Sequence, residues 1–271
     1  MEFLPEELAN KLRIECLKMT NRAKSSHLGS MFSCVDIISV LYSRVMNFNS
    51  SLPEADNRDF FFQSKGHAGA VLYAVLSKYG FFEDSLLETY YQNGSKLGGH
   101  ISHKGIPGVE LSTGSLGHAL SVACGVSLEL KKQKKTNRVF TLLSDGEMDE
   151  GSNWEAIMFA GHHVLNNLTI VIDYNKLQSL TSTYETLNLE PLEKKLIDFG
   201  WNVSSIDGHS YDELENSLKS HSDKPFCIIA NTTKGKGVSF MEDSVLWHYR
   251  SPQGHEFEDA MRELKSKQDS K

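Results

Sequence analysis

The sequence predicts an α/β protein: a three-layer domain with a parallel sheet covered by helices on both faces. Two observations carry this reading. Short, continuously apolar runs, Val139 to Leu143, Leu168 to Asp173 and Phe226 to Asn231, read as strands buried on both sides. Between them lie helix-period segments, so strands and helices alternate along the second half of the chain.

The elements follow in order. Leu8, Leu12, Cys16 and Met19 recur at helical spacing, so the first twenty or so residues form an amphipathic helix. Residues 36–46 and 68–79 read as further helices. Residues 90–117 are rich in Gly, Ser and His and read as a loop, longer than a mere connector needs to be. Then come helix 116–132, strand 139–143, helix 153–165, strand 168–173, helix 189–199, strand 203–206, helix 211–220 and strand 226–231. Ser210 and Glu213 open the last helix as a capping box. The whole, 1–271, reads as one domain, with 255–271 a charged, helical C-terminal extension.

Lys+Arg 28 against Asp+Glu 35 gives a net charge of -7, which argues against a general nucleic-acid binder. No signal-peptide run opens the chain, and nothing approaches the roughly 18 consecutive apolar residues of a membrane span. The four cysteines form no CxxC pair and read as reduced thiols. The expectation is a soluble, cytoplasmic protein.

In parallel sheets ligands sit at the carboxyl ends of strands. There the sequence places Ser144-Asp145-Gly146-Glu147 after one strand and Asp173-Tyr174-Asn175-Lys176 after the next. Asp145 offers a charged oxygen and Asn175 an amide oxygen, with a backbone carbonyl near Leu177 as a third donor. That set suits a small hard cation such as Mg²⁺, whose other ligands are phosphate and water. Gly146 lets a diphosphate approach the backbone. A lone Asp-Gly after a strand is ordinarily only a turn; an Asn after the neighbouring strand makes the pattern rarer.

The segment LLSDGEMDEGSNWEA…NNLTIVIDYN resembles the thiamine diphosphate motif of transketolases. SSHLGS, SKGHA, GGH, STGSLGHALSVACG, DGH and TTKGKGVSFME…WH follow the family's order over nearly the whole chain. The chain is similar to the amino-terminal, diphosphate-binding half of transketolase occurring as a separate polypeptide.

The resemblance implies a thiamine diphosphate-binding fold with Mg²⁺, for which Ca²⁺ or Mn²⁺ can substitute. It makes Asp145, Asn175 and the Leu177 carbonyl the metal ligands. It places Gly146 and His67 on the diphosphate, and Gly114, Ser115 and Leu116 around the thiazolium and linker. Glu147 and Glu150 join the cofactor-binding group, Glu150 near the subunit interface. His27 and His248 stand near cofactor and donor sugar, and His100 faces the donor's terminal hydroxyls; these three are the catalytic candidates. The remaining histidines, His209 included, read as structural, and Lys234 and Lys236 as either solvated or near an anionic substrate.

Such a chain supplies half a site. The resemblance implies a separate C-terminal partner subunit carrying the activating glutamate, an α2β2 assembly, and sugar or sugar-phosphate substrates. The expected reaction is transfer of a two-carbon ketol unit from a ketose to an aldose. An α-type subunit of a 2-oxoacid dehydrogenase and a non-catalytic diphosphate-binding scaffold are the alternatives. Two departures from the family stand out: Ser144 replaces the first Gly of its metal motif, and Ile101 follows GGH where many members carry Pro-Glu.

Overall fold

The computed structural model describes residues 3–269; Met1, Glu2, Ser270 and Lys271, the last two belonging to the expected C-terminal extension, lie outside the described residues. The strands are β1 (Phe60–Gln63), β2 (Val139–Ser144), β3 (Leu168–Tyr174), β4 (Asn202–Asp207) and β5 (Phe226–Asn231). They form one sheet in the order β1-β2-β3-β5-β4, every pair parallel. The helices are α1 (Pro5–Ala23), α2 (Leu28–Val40), α3 (Gly69–Lys78), α4 (Ala119–Lys132), α5 (Gly151–His162), α6 (Thr183–Thr186), α7 (Leu192–Asp198), α8 (Tyr211–Lys219) and α9 (His255–Asp269).

Strand alternation divides the core. Phe140, Leu142, Val171, Ile228 and Ala230 pack with α1, α2, α3, α8 and α9. Val139, Leu143, Ile170, Ile172, Cys227 and Ile229 pack with α4, α5 and α7. Each inner strand therefore buries both faces, which is why it reads as unbroken apolar sequence. The expected helical stripe of Leu8, Leu12, Cys16 and Met19 is fully buried.

Several boundaries differ from the sequence reading. β1 was not expected: four residues at a sheet edge are too short to show a period. The helix expected over 36–46 begins earlier, at Leu28, and closes in a π-turn over Leu41–Val45. α4 starts at Ala119 because Gly117 sits at φ 81°, outside helical space. α7 starts after Pro191, which cannot continue a helix inward from its own N-terminal side.

The capping box of α8 is half-formed. Ser210 accepts from the Glu213 N–H at 3.4 Å, but the Glu213 carboxylate accepts from the Asp207 N–H. The C-terminal segment is no appendage: Ala260 and Leu264 are buried in the core, and Asn10 donates to the Leu264 carbonyl at 3.0 Å. Leu28–Val45 is apolar enough, by length and mean hydropathy of 1.3, to cross a bilayer, contrary to expectation, but 89% of it is buried in this domain. It is the core helix.

Candidate active site

The tips of β2 and β3 meet in register, Ser144 beside Asp173. One residue past β2, Asp145 accepts from Gly146 N–H at 2.7 Å through one oxygen and from Lys176 N–H at 2.5 Å through the other. Two residues past Asp173, Asn175 turns its amide oxygen onto the N–H of Leu177 at 3.1 Å. Asp145 and Asn175 thus stand at one sheet end, in turns joined by a direct hydrogen bond. Among the described residues no group of three or more His, Cys, Asp or Glu has metal-holding geometry. A cation here would rest on one carboxylate, an amide oxygen, the Leu177 carbonyl and the oxygens of its ligand.

Those donors fit a magnesium–diphosphate. All are oxygens, as a hard cation requires. Asp145 is buried, and burial together with the nearby Asp173 carboxylate pushes its pKa up to about 7. A buried carboxyl held in that state gains most from an adjacent divalent cation.

The floor beneath is a buried ion pair. Lys65 and Asp173 are both wholly buried and paired; Lys65 also donates to the Ser30 carbonyl at 2.9 Å, and Asp173 accepts from Ser33 at 2.6 Å and from Thr232. Burial opposes both charges, yet each holds the other ionised: the Lys65 pKa is raised and that of Asp173 lowered. Gly66 lets this segment lie against the loop after residue 112, since a Cβ there would stand 2.4 Å from the Thr113 carbonyl oxygen.

Four histidines gather across the cavity. The ring of His27 lies 5.3 Å from His67, 5.8 Å from His100 and 5.1 Å from His248. Burial, and then neighbouring cations and imidazoles, lower the pKa of His27 to about 4, of His248 to about 3, and of His67 well below the usual value. These three imidazoles are neutral near pH 7. Lys234, likewise depressed by burial and by Lys65, to about 8, donates to the carbonyls of Leu177 (2.9 Å) and Gln178 (3.0 Å). Its remaining contact is His248 Nδ1 at 3.0 Å, which leaves Nε2 of that ring as the proton-bearing nitrogen.

The resulting cavity, ≈ 250 Å³, is lined by His27, His67, His100, His248, Asp145, Asn175 and Leu177, together with Gly114, Leu116 and Gly146. Lys65, Lys234, Ser30, Gln178 and Tyr249 also line it, and sequence reasoning had not assigned them there. Of the two readings the sequence left open for Lys234, a solvated loop is the one that does not hold, since the residue is 1% exposed. The signal was available: a lysine in SKGHA and another in TTKGKG both lie inside the motifs.

Three expected cofactor positions stand apart. Glu147 is completely buried, and its carboxylate accepts from Ser64 Oγ, from Gly117 N–H at 2.9 Å and from Ser144 N–H at 3.3 Å. Its carboxylate ties three site loops together from behind the cavity, because a buried carboxylate collects every nearby donor. Ser115 is exposed outside the cavity lining, and Glu150 sits at the start of α5 beside Gly117.

Comparison with known proteins identifies the family. The family model "Transketolase, thiamine diphosphate binding domain" matches residues 5–266. An apulose-4-phosphate transketolase subunit from Actinobacillus succinogenes is 42% identical over 248 residues, 90% of each chain. The 6-deoxy-6-sulfo-D-fructose transketolase subunit SqwG of a Clostridium species is 40% identical, over 89% of this chain and 88% of that one. The crystal structure of Campylobacter jejuni transketolase superposes with a TM-score of 0.87 at 31% identity, over 97% of this chain; this chain spans 42% of that one. A family model over nearly all residues and relatives of its own length agree: the chain belongs to the transketolase family, as its thiamine diphosphate-binding domain.

Proposed function

We propose that this chain binds magnesium–thiamine diphosphate and, joined to a pyrimidine-binding partner subunit, transfers a two-carbon ketol unit from a ketose to an aldose. The observation that carries it is that one cavity is lined both by the oxygen donors at the β2 and β3 tips and by four histidines. Asp145, Asn175 and the Leu177 carbonyl would hold Mg²⁺; Ca²⁺ or Mn²⁺, with the same oxygen preference, would substitute. When bound, the coenzyme supplies a nucleophilic carbon and a sink for the electrons of the broken carbon–carbon bond.

The protein's part is orientation and proton handling. His67, half-buried and neutral, offers the coenzyme a hydrogen bond without adding charge. His27, His100 and His248 face the space above it, where hydroxyls of the donor would exchange protons during bond cleavage. His248, with Nδ1 filled by Lys234, is set to donate from Nε2. Lys65 is bound to Asp173 and Lys234 to two carbonyls, so recognition of an anionic substrate end falls to the partner.

Three relatives of matching length are named as subunits of transketolases, which supports a separate partner here. That partner would contribute the glutamate that activates the coenzyme. Val122, Met158 and Phe159 are exposed on α4 and α5 and offer an apolar face for self-association into an α2β2 assembly. Four unpaired, buried cysteines suit the reducing cytoplasm. Sugar phosphates are the substrate class to try first, sulfonated sugars next.

The test is co-expression with a C-terminal-type transketolase subunit from the same genome, purification with Mg²⁺ and thiamine diphosphate, and assay of ketol transfer from a panel of ketoses. No transfer from any of them, with coenzyme demonstrably bound, would leave a binding scaffold as the better reading.

A further inference from the structure

The DGH segment, Asp207 to His209, lies outside the cavity and has no part in the proposed chemistry. Its geometry links the far side of the sheet to the site. Asp207, at the tip of β4, accepts from the His209 N–H at 2.8 Å, and Gly208 donates to the Asn231 carbonyl at the tip of β5, also at 2.8 Å. A Cβ on Gly208 would stand 2.4 Å from the Thr232 methyl, so this close approach needs glycine.

The His209 ring then bridges two elements. Its Nδ1 lies 2.7 Å from Asp36 Oδ2 on α2, and its Nε2 accepts from the backbone N–H of Thr233 at 2.8 Å. A backbone amide can only donate, so Nε2 carries the lone pair and Nδ1 the proton. Asp36 is itself immobilised. Arg13 donates to both its oxygens, at 2.9 and 2.6 Å, and Tyr211 adds a third donor at 3.0 Å. Although burial would raise its pKa, Arg13 and His209 hold the carboxyl well below the usual range. The anchor is a permanent anion.

On the other side, Thr233 sits between two residues that touch the site. Thr232 Oγ donates to Asp173, and Lys234 Nζ reaches Leu177, Gln178 and His248. We infer that His209 is a positioning residue for the site: its Nδ1–H tautomer transfers the fixed position of Asp36 to the 232–234 turn, and through Lys234 to His248 and the Leu177 carbonyl. This rests on the reading of the cavity as a magnesium–thiamine diphosphate site.

Two variants separate positioning from simple support of the fold. His209→Asn keeps a donor for Asp36 but loses the acceptor for Thr233; His209→Gln carries an amide oxygen far enough to replace that acceptor. Calorimetry of the full chain with Mg²⁺ and thiamine diphosphate should show His209→Asn binding about tenfold more weakly, the worth of one hydrogen bond, and His209→Gln within about threefold of wild type. Melting temperatures of both should fall by similar, small amounts. Wild-type affinity in His209→Asn, or losses in the two variants that follow their melting temperatures alone, would overturn the inference. Imidazole ¹⁵N spectra of the coenzyme-free chain give a separate arm: a protonated Nδ1 with a lone pair on Nε2 supports it, and the opposite tautomer refutes it. Should the wild type bind no coenzyme at all, the reading of the cavity fails, and the tautomer alone decides the role of His209.

Discussion

His27 donates its backbone N–H to the carbonyl of His248 at 2.7 Å, and the two rings stand 5.1 Å apart and nearly perpendicular. His27 does this from the left-handed region, at φ 76°, where a residue with a Cβ is uncommon. The strain is held because the residue both opens α2 and closes the C-terminal segment onto the site. Substituting His27 therefore disturbs geometry as well as chemistry, whereas other positions allow the two to be separated.

Asp145→Asn retains the volume and one acceptor oxygen while removing the charge. Mg²⁺-dependent binding of thiamine diphosphate should weaken by roughly 100-fold or more, the scale expected when a buried charge loses its counter-ion. The coenzyme-free variant should melt no lower than wild type at pH 7. Calorimetry and thermal melts check the two halves.

The raised pKa of Asp145 also gives a pH dependence. Between about 4 and about 7 the folded chain keeps a proton on this group that the unfolded chain has lost, so its contribution to stability falls as pH rises. A divalent cation with diphosphate removes the penalty by replacing the proton. Thermal stabilisation by Mg²⁺ and thiamine diphosphate should accordingly be larger at pH 8 than at pH 5.5; a ligand-induced shift independent of pH would contradict this.

His248 contributes with the opposite sign. Its folded pKa, about 3, lies below the unfolded value near 6.5, so the unfolded state binds the proton first and stability falls as pH drops through that window. His27 acts the same way over about 4 to 6.5. His248→Asn should flatten the acid limb of the stability curve, measured as urea midpoints from pH 4 to pH 7.

Lys65→Met leaves Asp173 wholly buried with hydroxyl donors but no cation. The loss should be about 3–5 kcal/mol of stability, whether or not coenzyme is present. Denaturant unfolding of the coenzyme-free chain would show it.

His100 lines the cavity and touches His27, yet carries none of the hydrogen bonds that organise the metal turn. His100→Ala should reduce kcat with the donor ketose by about 100-fold, within the usual worth of a positioned acid–base group, and change coenzyme affinity by less than about threefold. Equal losses in both would contradict a donor-facing position.

Much of this was legible without coordinates, and the exceptions have physical causes. β2, β3 and β5 announced themselves because strands covered on both faces must be apolar throughout. The edge strand β1 did not, being four residues long and flanked by charge. The pairing of Asp145 with Asn175 could be expected because consecutive parallel strands joined by one helix bring their tips together. The sequence by itself determined the layered parallel fold, the residues whose chemistry suits a metal–diphosphate, and the family that arranges them so. Only the tertiary structure decided that Glu147 turns away from the cavity and that Lys65 and Lys234 turn into it. It alone showed that His209 spans from Asp36 to the Lys234 turn. The reason is that residue type states what a group can donate or accept; its partner is set by which distant segments the fold packs within about 3 Å of it.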